Sequence, residues 1–231
     1  AFTEPSGSWD PAAVETTATP SGTGWVLRGT KSFVLDGHTA NLLLVSARTD
    51  VGVGLFAVEA DATGVTRTPL NILDQTRKQA RIELTDAPAE LVGTADGGVP
   101  LLSRMLDLAA VGLAAEQVGG AQKALDMAVE YAKVRVQFGR PIGSFQAIKH
   151  KCAEVLVQVD AARAAMQYAL WCADERSEEL PVVACLAKAY CSEAYFRASA
   201  ENVQVHGGIG FTWEHPAHLY FKRAKSSELL F

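Results

Sequence analysis

The sequence predicts an α+β fold, with an antiparallel β-barrel or β-sandwich domain over residues 1–97 and an up-and-down four-helix bundle over residues 98–231. Three observations support this prediction. The first hundred residues contain short segments rich in β-branched, aromatic and aliphatic residues, with no amphipathic helix among them. Residues 94–100 are rich in turn formers and lack apolar periodicity, which indicates a domain boundary. Every segment after Pro100 has a helical pattern, apart from the connections.

Six segments of the N-terminal part are predicted to be strands, because β-forming residues alternate there with turn pairs such as Asp36-Gly37 and Thr63-Gly64. Strands of this length, following one another closely, favour a small antiparallel sandwich or barrel. The predicted strands are Trp25–Leu27, Ser32–Leu35, Leu42–Ala47, Gly54–Val58, Val65–Pro69 and Gln79–Leu84.

Four helices are predicted in the C-terminal part. The first is rich in Ala, Leu, Met and Val and contains no proline, so it is expected to be largely buried. Gly139, Pro141 and Gly143 then provide the backbone conformations of a tight turn, so the second helix should lie antiparallel to the first. The polar run at residues 174–181 is expected to be a solvated connection. The predicted helices are Leu101–Val134, Ser144–Ala173, Val182–Val205 and Pro216–Leu230.

Composition excludes several classes of protein. The net charge of −5 argues against nucleic acid as the main partner. Charges at Arg104, Asp107 and Glu116 interrupt the richest apolar stretch, so no membrane span is expected. The first residues contain neither a basic segment nor an apolar segment typical of an export signal, so the chain is expected to be cytoplasmic.

Neither the cysteines nor the histidines form a metal-binding pattern. The four cysteines lie in helical segments without a C-x-x-C spacing, which favours buried thiols over a disulfide framework or a metal site. His215 and His218 are three residues apart at the start of a helix, but no third ligand lies close in sequence. No metal is therefore expected. The cysteines are Cys152, Cys172, Cys185 and Cys191.

The tip of the hairpin formed by the first two helices has more hydrogen-bonding side chains than a turn needs. Arg135, Gln137, Arg140 and Gln146 all lie at this tip of the helix hairpin. A guanidinium group forms bidentate hydrogen bonds with phosphate, so this set would suit an anion such as a pyrophosphate. The alternative, from these residues alone, is that they are ordinary solvated loop residues.

Four motifs follow one another along the chain: Thr3-Glu4-Pro5, the run Gly29–Gly37, Arg135-x-Gln137-Phe138-Gly139 with Gln146, and Gln204-x-x-Gly207-Gly208-x-Gly210-Phe211. In this order and spacing they resemble the motifs of the acyl-CoA dehydrogenase flavoprotein family. The resemblance covers nearly the whole chain and implies the middle β-domain and the C-terminal helical bundle of that family. The family's N-terminal helical domain has no counterpart here, so the chain is expected to be a fragment or a subunit that depends on a partner.

The resemblance implies that FAD is the cofactor, with its adenine and pyrophosphate part reaching a neighbouring subunit. It places the flavin ring near Phe2, Thr3, Phe33 and Leu35, although relatives usually have Trp in place of Phe33 and a hydroxyl residue in place of Leu35. The residues implied for the adenosine diphosphate part are Arg135, Gln137, Phe138, Gln146, Gln204, Gly207 and Gly208.

The family reaction removes the Cα proton of an acyl-CoA thioester with a glutamate, while the Cβ hydride passes to the flavin. The two positions that hold this glutamate in relatives correspond here to Ala109 and Phe231, so no catalytic base is assigned. Glu116 and Glu228 are inferior candidates because each is displaced by one or two helical turns. Trp9 and Asp107 are the candidate positions on the substrate side.

Two classes of function stay open. In the first, the chain is an FAD-dependent acyl-CoA dehydrogenase, or a subunit of a heteromeric one to which a partner supplies the base. It is then expected in a homo- or hetero-oligomer, a dimer or a dimer of dimers, with electron-transfer flavoprotein as acceptor. In the second, it is a structural or binding subunit of the same fold without chemistry. A flavin monooxygenase of related fold is a third, weaker alternative. The acyl chain cannot be inferred from these residues.

Overall fold

Strands fill the first part of the chain and helices the second. The computed structural model describes all residues from 1 to 231. It divides into two units, Ala1–Met105 and Leu106–Phe231, and the division falls inside the first helix. The start of that helix belongs to the first unit because Leu102 packs there with Val14 and Val53.

The first unit is built on one six-stranded sheet in the order β2-β1-β3-β4-β6-β5. A further pairing of β2 with β6 closes β2, β1, β3, β4 and β6 into a circuit. The α+β class is confirmed, with one correction: the sheet is mixed, because β1 pairs with β3 in parallel at Thr17 and Arg48. All the other pairings in this sheet are antiparallel. The strands are β1 (Thr17–Ser21), β2 (Gly24–Leu35), β3 (Leu42–Arg48), β4 (Val53–Glu59), β5 (Val65–Pro69) and β6 (Gln79–Val92).

Two strand predictions needed correction. Trp25–Leu27 and Ser32–Leu35 belong to the single strand β2, which stays paired with β6 through two register shifts. One shift includes Gly29, whose φ of 151° and whose close approach to Thr16 leave no room for a Cβ. The strand β1 was missed, because its sequence Thr-Ala-Thr-Pro-Ser is polar and only Ala18 is buried.

The core of the first unit lies inside the strand circuit. Side chains alternate between the two faces of each strand, so every second residue points inwards. The central residues of β3 and β4 follow this pattern, with Val45, Phe56 and Val58 fully buried. Leu27 and Ile82 complete the same cluster from β2 and β6.

The second unit is an all-helical bundle. The four predicted helices are confirmed, with bounds that differ by at most three residues from those predicted. Pro181 lies in the first turn of the third helix, where its missing N–H is not needed. A short hairpin, β7 (Val136–Gln137) and β8 (Arg140–Pro141), lies between the first two helices. The helices are α1 (Gly98–Val134), α2 (Gln146–Asp174), α3 (Leu180–His206) and α4 (Ala217–Glu228).

Small side chains fill most of the bundle core. Alanines from α1, α2 and α3 form its largest cluster together with Cys172 and Cys191. Burial raises the pKa of the Cys191 thiol to about 11, so this thiol stays protonated. The interpretation of all four cysteines as buried thiols was wrong for Cys185, which is exposed, and only partly right for the half-buried Cys152.

Helix α1 is long and apolar enough to cross a membrane, with a mean hydropathy of 1.4 over its most apolar window. The expectation that its charges exclude such a window was therefore too strict. Core helices of proteins without a membrane span meet the same criterion, and 33% of that window is buried within the structure.

Two adjacent glycines of α1 differ in their surroundings, which allows a matched test. A Cβ at Gly119 would meet nothing within 4 Å, whereas a Cβ at Gly120 would lie 2.7 Å from Cε2 of the buried Tyr195. Gly119→Ala is therefore expected to raise the free energy of unfolding by about 0.5–1 kcal/mol through helix propensity. Gly120→Ala is expected to lower it by about 1–3 kcal/mol through overpacking. Urea unfolding of both variants measures these changes. A change of the same sign in the free energy of unfolding of the two variants would contradict the prediction.

Candidate cofactor-binding site

In the first unit, the predicted flavin-side residues lie on and beside β2. Thr3 is buried, and its hydroxyl donates to the carbonyl of Ser32 at 2.6 Å, while the Ser32 N–H donates back to the Thr3 carbonyl at 2.9 Å. Phe33 and Leu35 are 46% and 39% exposed. Phe33 has a φ of 57°, which is uncommon for a residue other than glycine, and it lies within the second register shift. The strand thus presents two apolar side chains at the surface of this unit.

Phe2 and Trp9 lie close together in the N-terminal segment. Their ring centroids are 5.9 Å apart, and both side chains are partly buried. Trp9, predicted to be on the substrate side, therefore packs on a residue predicted to be on the flavin side. Aromatic rings at this separation attract each other. The two rings therefore stay together and form a small aromatic surface.

A buried ion pair attaches the N-terminal segment to β2, and sequence reasoning missed it. The Lys31 Nζ donates to Glu4 Oε1 at 2.7 Å, to the Phe2 carbonyl at 3.2 Å and to Ser46 Oγ at 3.1 Å. The other Glu4 oxygen accepts from the Glu15 N–H at 2.8 Å. The available signal was that a glutamate and a lysine, Glu4 and Lys31, each lie within one of the four motifs.

The environment of this pair shifts both pKa values downwards. Burial lowers the pKa of Lys31 to about 8, against the opposing effect of Glu4. Burial by itself would raise the pKa of Glu4, but hydrogen bonds from Lys31 and from the backbone outweigh it and lower the pKa. Lys31 and Glu4 thus hold Phe2 and Thr3 against the strand that presents Phe33.

In the second unit, the connection after α1 is a tight β-hairpin. Phe138 and Gly139 have φ values of 54° and 77°, as a two-residue turn between β7 and β8 requires. The prediction that Gly143 provides conformational freedom here was wrong. Gly143 has no positive φ, and it is required for packing, since a Cβ would lie 2.9 Å from the Ala132 carbonyl oxygen. Phe138 is 91% exposed at the tip.

The polar residues of this hairpin are available for a ligand. Arg135, Gln137 and Gln146 are all exposed. The backbone of Arg135 is fixed at both ends, because its N–H donates to the Tyr131 carbonyl at 2.9 Å and its carbonyl accepts from the Ile142 N–H at 2.8 Å. Its guanidinium forms no ion pair within the chain. The guanidinium of Arg140 is instead occupied by a cation–π contact, 4.1 Å from the centroid of the Phe145 ring.

A glycine turn follows α3. Gly207 has a φ of 63°, which ends the helix after His206, and residues 207–211 form a 3-10 turn. Gln204, Gly207 and Gly208 are exposed, and a Cβ at either glycine would meet nothing within 4 Å. Gly210 instead faces inwards, where a Cβ would lie 2.8 Å from the Cβ of His206. One side of the turn therefore offers bare backbone.

The hairpin and the glycine turn lie at the same end of the bundle. Val205, just before the turn, packs in one cluster with Ala132 of α1 and with Ile142 and Ile148, which flank the start of α2. The Tyr131 ring stacks on His206, with ring centroids 4.3 Å apart. An exposed guanidinium, two amide side chains and accessible glycine backbone fit a diphosphate with an attached nucleoside. The chemistry of these donors thus suits the adenosine diphosphate part of FAD.

The candidate catalytic positions lack a carboxylate with the properties of a base. Ala109 is half-buried on α1 near Asp107, which is also half-buried. Glu116 lies 3.7 Å from Arg223, and Glu228 lies 2.9 Å from Lys225. Both glutamates are exposed and paired with a cation, whereas abstraction of a weakly acidic proton needs a carboxylate in a dry pocket.

The histidines near α4 belong to the packing of the glycine turn. His215 lies against His206, with ring centroids 4.2 Å apart, and His218 lies against Trp213 at 4.8 Å. No group of three or more His, Cys, Asp or Glu side chains in the chain is placed to hold a metal ion.

Comparison with known proteins places these features in a family. The acyl-CoA dehydrogenase middle-domain model matches residues 1–86, and the acyl-CoA dehydrogenase C-terminal-domain model matches residues 96–231. The chain is 46% identical over 162 residues to acyl-CoA dehydrogenase IpdE2 of Mycobacterium tuberculosis, covering 70% of this chain and 46% of that protein. The chain therefore spans about half the length of this relative.

Two solved structures show the same fold. Butyryl-CoA dehydrogenase from Megasphaera elsdenii aligns with a TM-score of 0.92 and 31% identity, over 99% of this chain and 63% of that one. A chain of the ChsE4-ChsE5 complex from Mycobacterium tuberculosis aligns with a TM-score of 0.84 and 34% identity, over 92% of this chain and 57% of that one. Since both family models match in order and together cover almost all of its residues, the chain belongs to the acyl-CoA dehydrogenase family.

Proposed function

We propose that this chain is the FAD-binding part of an acyl-CoA dehydrogenase subunit and that a partner subunit supplies the catalytic carboxylate. The observation that supports the cofactor most directly is that the hairpin with the exposed Arg135 and the turn with the bare Gly207–Gly208 backbone are at the same end of the bundle. Membership of the family supports the substrate class, an acyl-CoA thioester that loses hydrogens from Cα and Cβ. FAD, when bound, supplies a two-electron acceptor for the Cβ hydride.

The residues of this chain have distinct tasks in that function. Arg135 would bind the diphosphate with its guanidinium fork, and Gln137 and Gln146 would add amide hydrogen bonds. The Gly207–Gly208 turn would allow the adenosine to approach the backbone closely. On the first unit, Phe33 and Leu35 would exclude water from the flavin ring of a cofactor whose adenosine diphosphate part is bound by a neighbouring subunit, because apolar side chains offer water no hydrogen bonds.

The absence of a carboxylate at Ala109 and Phe231 leads to a specific prediction about activity. A general base must lie within about 3 Å of the proton it removes, and a glutamate one or two helical turns away cannot satisfy that. The isolated chain is therefore expected not to turn over straight-chain or branched acyl-CoA with an artificial electron acceptor. Activity should appear when a partner subunit that carries the glutamate is added, and light scattering should then show a larger assembly.

Glu116→Gln and Glu228→Gln provide the control for this experiment. Neither change should alter the activity of the mixture, because both side chains are exposed and paired with cations. Robust turnover by the isolated chain that either substitution abolishes would overturn the assignment of the base to a partner.

A structural or binding subunit without chemistry is the second candidate. The similarity to a chain of the ChsE4-ChsE5 complex favours assembly with a different chain, in which one member need not be catalytic. Exposed apolar side chains on α2 and α3, among them Val157, Trp171, Val182 and Leu186, suit such a contact. A colourless protein that acquires no flavin and shows no change of absorbance on adding an acyl-CoA would favour this candidate, whereas a yellow protein that bleaches would favour the enzyme.

For the first candidate, the acyl-CoA dehydrogenase subunit, electron-transfer flavoprotein remains the proposed electron acceptor.

A further inference from the structure

Three aromatic rings lie in one stack beneath the glycine turn. Tyr131 of α1 lies on His206 at the end of α3, with ring centroids 4.3 Å apart and planes inclined by 27°. His215, from the segment before α4, lies against His206, with centroids 4.2 Å apart and planes inclined by 42°. His206 is only 6% exposed. The stack, defined as Tyr131, His206 and His215, therefore joins three elements of the bundle.

Hydrogen bonds set the orientation and protonation of the two imidazoles. The His206 Nδ1 lies 2.8 Å from the Asn202 carbonyl oxygen, which can only accept, so this nitrogen carries a proton and donates. The Ala217 N–H donates to the His215 Nδ1 at 3.2 Å, so that nitrogen carries no proton and His215 is neutral. Burial, followed by the neighbouring His206 and His218, lowers the pKa of His215, which favours the same neutral form.

The stack lies directly against the inner side of the turn. Gly207 follows His206 in the chain, and Gly210 is so close that a Cβ there would lie 2.8 Å from the His206 Cβ. The outer side is open, because a Cβ at Gly207 or Gly208 would meet nothing within 4 Å. The inner side of the turn is thus shaped by His206, while the outer side is left free.

We infer that His206 and His215 are positioning residues for the Gly207–Gly208 turn: through the stack with Tyr131 they hold its backbone in the conformation that receives the adenosine part of the cofactor. A glycine pair without side chains of its own has many accessible conformations, so its order must come from neighbouring groups. The inference depends on the proposed function only for the identity of the ligand. The ordering of the turn itself can be measured without any ligand.

Four variants separate the contributions of the rings. His206→Leu removes the central ring and its hydrogen bond to Asn202. His215→Asn removes the outer ring but retains an oxygen that can accept from the Ala217 N–H, since Asn bonds in this way to the residue two positions later. Tyr131→Phe keeps a ring at the other end of the stack. Lys222→Met is the control, because Lys222 lies over the Trp213 ring, 3.9 Å from its centroid, and has no part in the stack.

The first measurement is the amide spectrum of the ligand-free chain, labelled with ¹⁵N. The heteronuclear NOE of the Gly207 and Gly208 amides, which reports backbone order, is expected to fall in His206→Leu and His215→Asn and to keep its value in Tyr131→Phe and Lys222→Met. The second is the dissociation constant for FAD by quenching of flavin fluorescence, which is expected to rise at least about tenfold in the first two variants only. Thermal unfolding of each variant shows that it is folded.

The outcomes distinguish this inference from the proposed function. Unchanged NOE values of Gly207 and Gly208 in both His206→Leu and His215→Asn would overturn the inference. Equal FAD affinity in all folded variants would overturn it as well, while leaving the proposed function intact. If the unaltered chain binds no FAD, the proposed function fails, and the NOE values of the two glycines still decide whether the stack positions the turn.

Discussion

Glu4→Leu is expected to lower the free energy of unfolding by about 3–5 kcal/mol, because it leaves the buried Lys31 ammonium without its counter-charge. Lys31 is fully buried, and Glu4 is its only ion-pair partner. The same change removes the acceptors of the Glu15 and Thr16 N–H groups. Urea unfolding at pH 7 measures the loss. The double variant Glu4→Leu, Lys31→Met should recover much of it, since it buries no charge.

The effect of pH on this variant has a definite sign. Lys31 has a folded-state pKa of about 8, below its ordinary value of 10.5, so the unfolded chain binds more protons between these values. Its contribution to stability therefore rises with pH across that interval. Without Glu4 the folded-state pKa of Lys31 falls further below 8, so the loss of stability in Glu4→Leu should shrink as pH rises towards about 8 and stay constant above it. Arg28→Met is the control: Arg28 lies on the same strand as Lys31, and the change removes only its exposed pair with Asp86, so unfolding should stay essentially unchanged. The prediction would be contradicted if the free energy of unfolding fell no more in Glu4→Leu than in Arg28→Met.

Arg135→Ala is expected to weaken FAD binding by about 10- to 100-fold. A hydrogen bond to a charged group contributes about 1.5–3 kcal/mol, and each 1.4 kcal/mol is a factor of ten in affinity. The side chain is exposed and its backbone is fixed by Tyr131 and Ile142, so the change removes the donor without loosening the hairpin. Flavin retained after dialysis and the dissociation constant by fluorescence provide the measurement.

Two further variants make the Arg135 experiment specific. Arg135→Lys keeps the charge but loses the guanidinium fork, so its affinity should lie between those of the unaltered chain and Arg135→Ala. Lys133→Met changes the net charge equally, two residues away, and removes only an exposed pair with Glu130. If Lys133→Met weakens binding as much as Arg135→Ala, the effect is one of overall charge, and the assigned phosphate contact is wrong.

The helices could be predicted from the sequence because their signals are local. The Ala- and Leu-rich periodicity of α1 and Pro181 at the start of α3 each act within a few residues. The strand β1 could not be predicted, because its polar sequence has little preference of its own and it forms through pairing with β2. The exposure of Cys185 also depends on which face of α3 turns outwards.

The candidate site also combines features that could be predicted from the sequence with features that could not. Its residue types could be predicted from motifs, since a guanidinium and a glycine pair suit a dinucleotide wherever they occur. Their meeting at one end of the bundle could not be read from a single stretch, because Tyr131 and His206 are 75 residues apart in sequence and touch only after α1 and α3 pack. The role of Gly143 was likewise misjudged, since its close neighbour Ala132 lies on another element.

By itself, the sequence determined the α+β class, the four helices and the polar chemistry of the hairpin and the glycine turn, because each depends on neighbours along the chain. Only the tertiary structure decided that Lys31 and Glu4 form a buried pair and that β2 runs unbroken through two register shifts. It also decided that the Tyr131, His206 and His215 rings stack beneath the turn. The physical reason is that burial and long-range contact create these interactions, and neither exists until distant segments pack together.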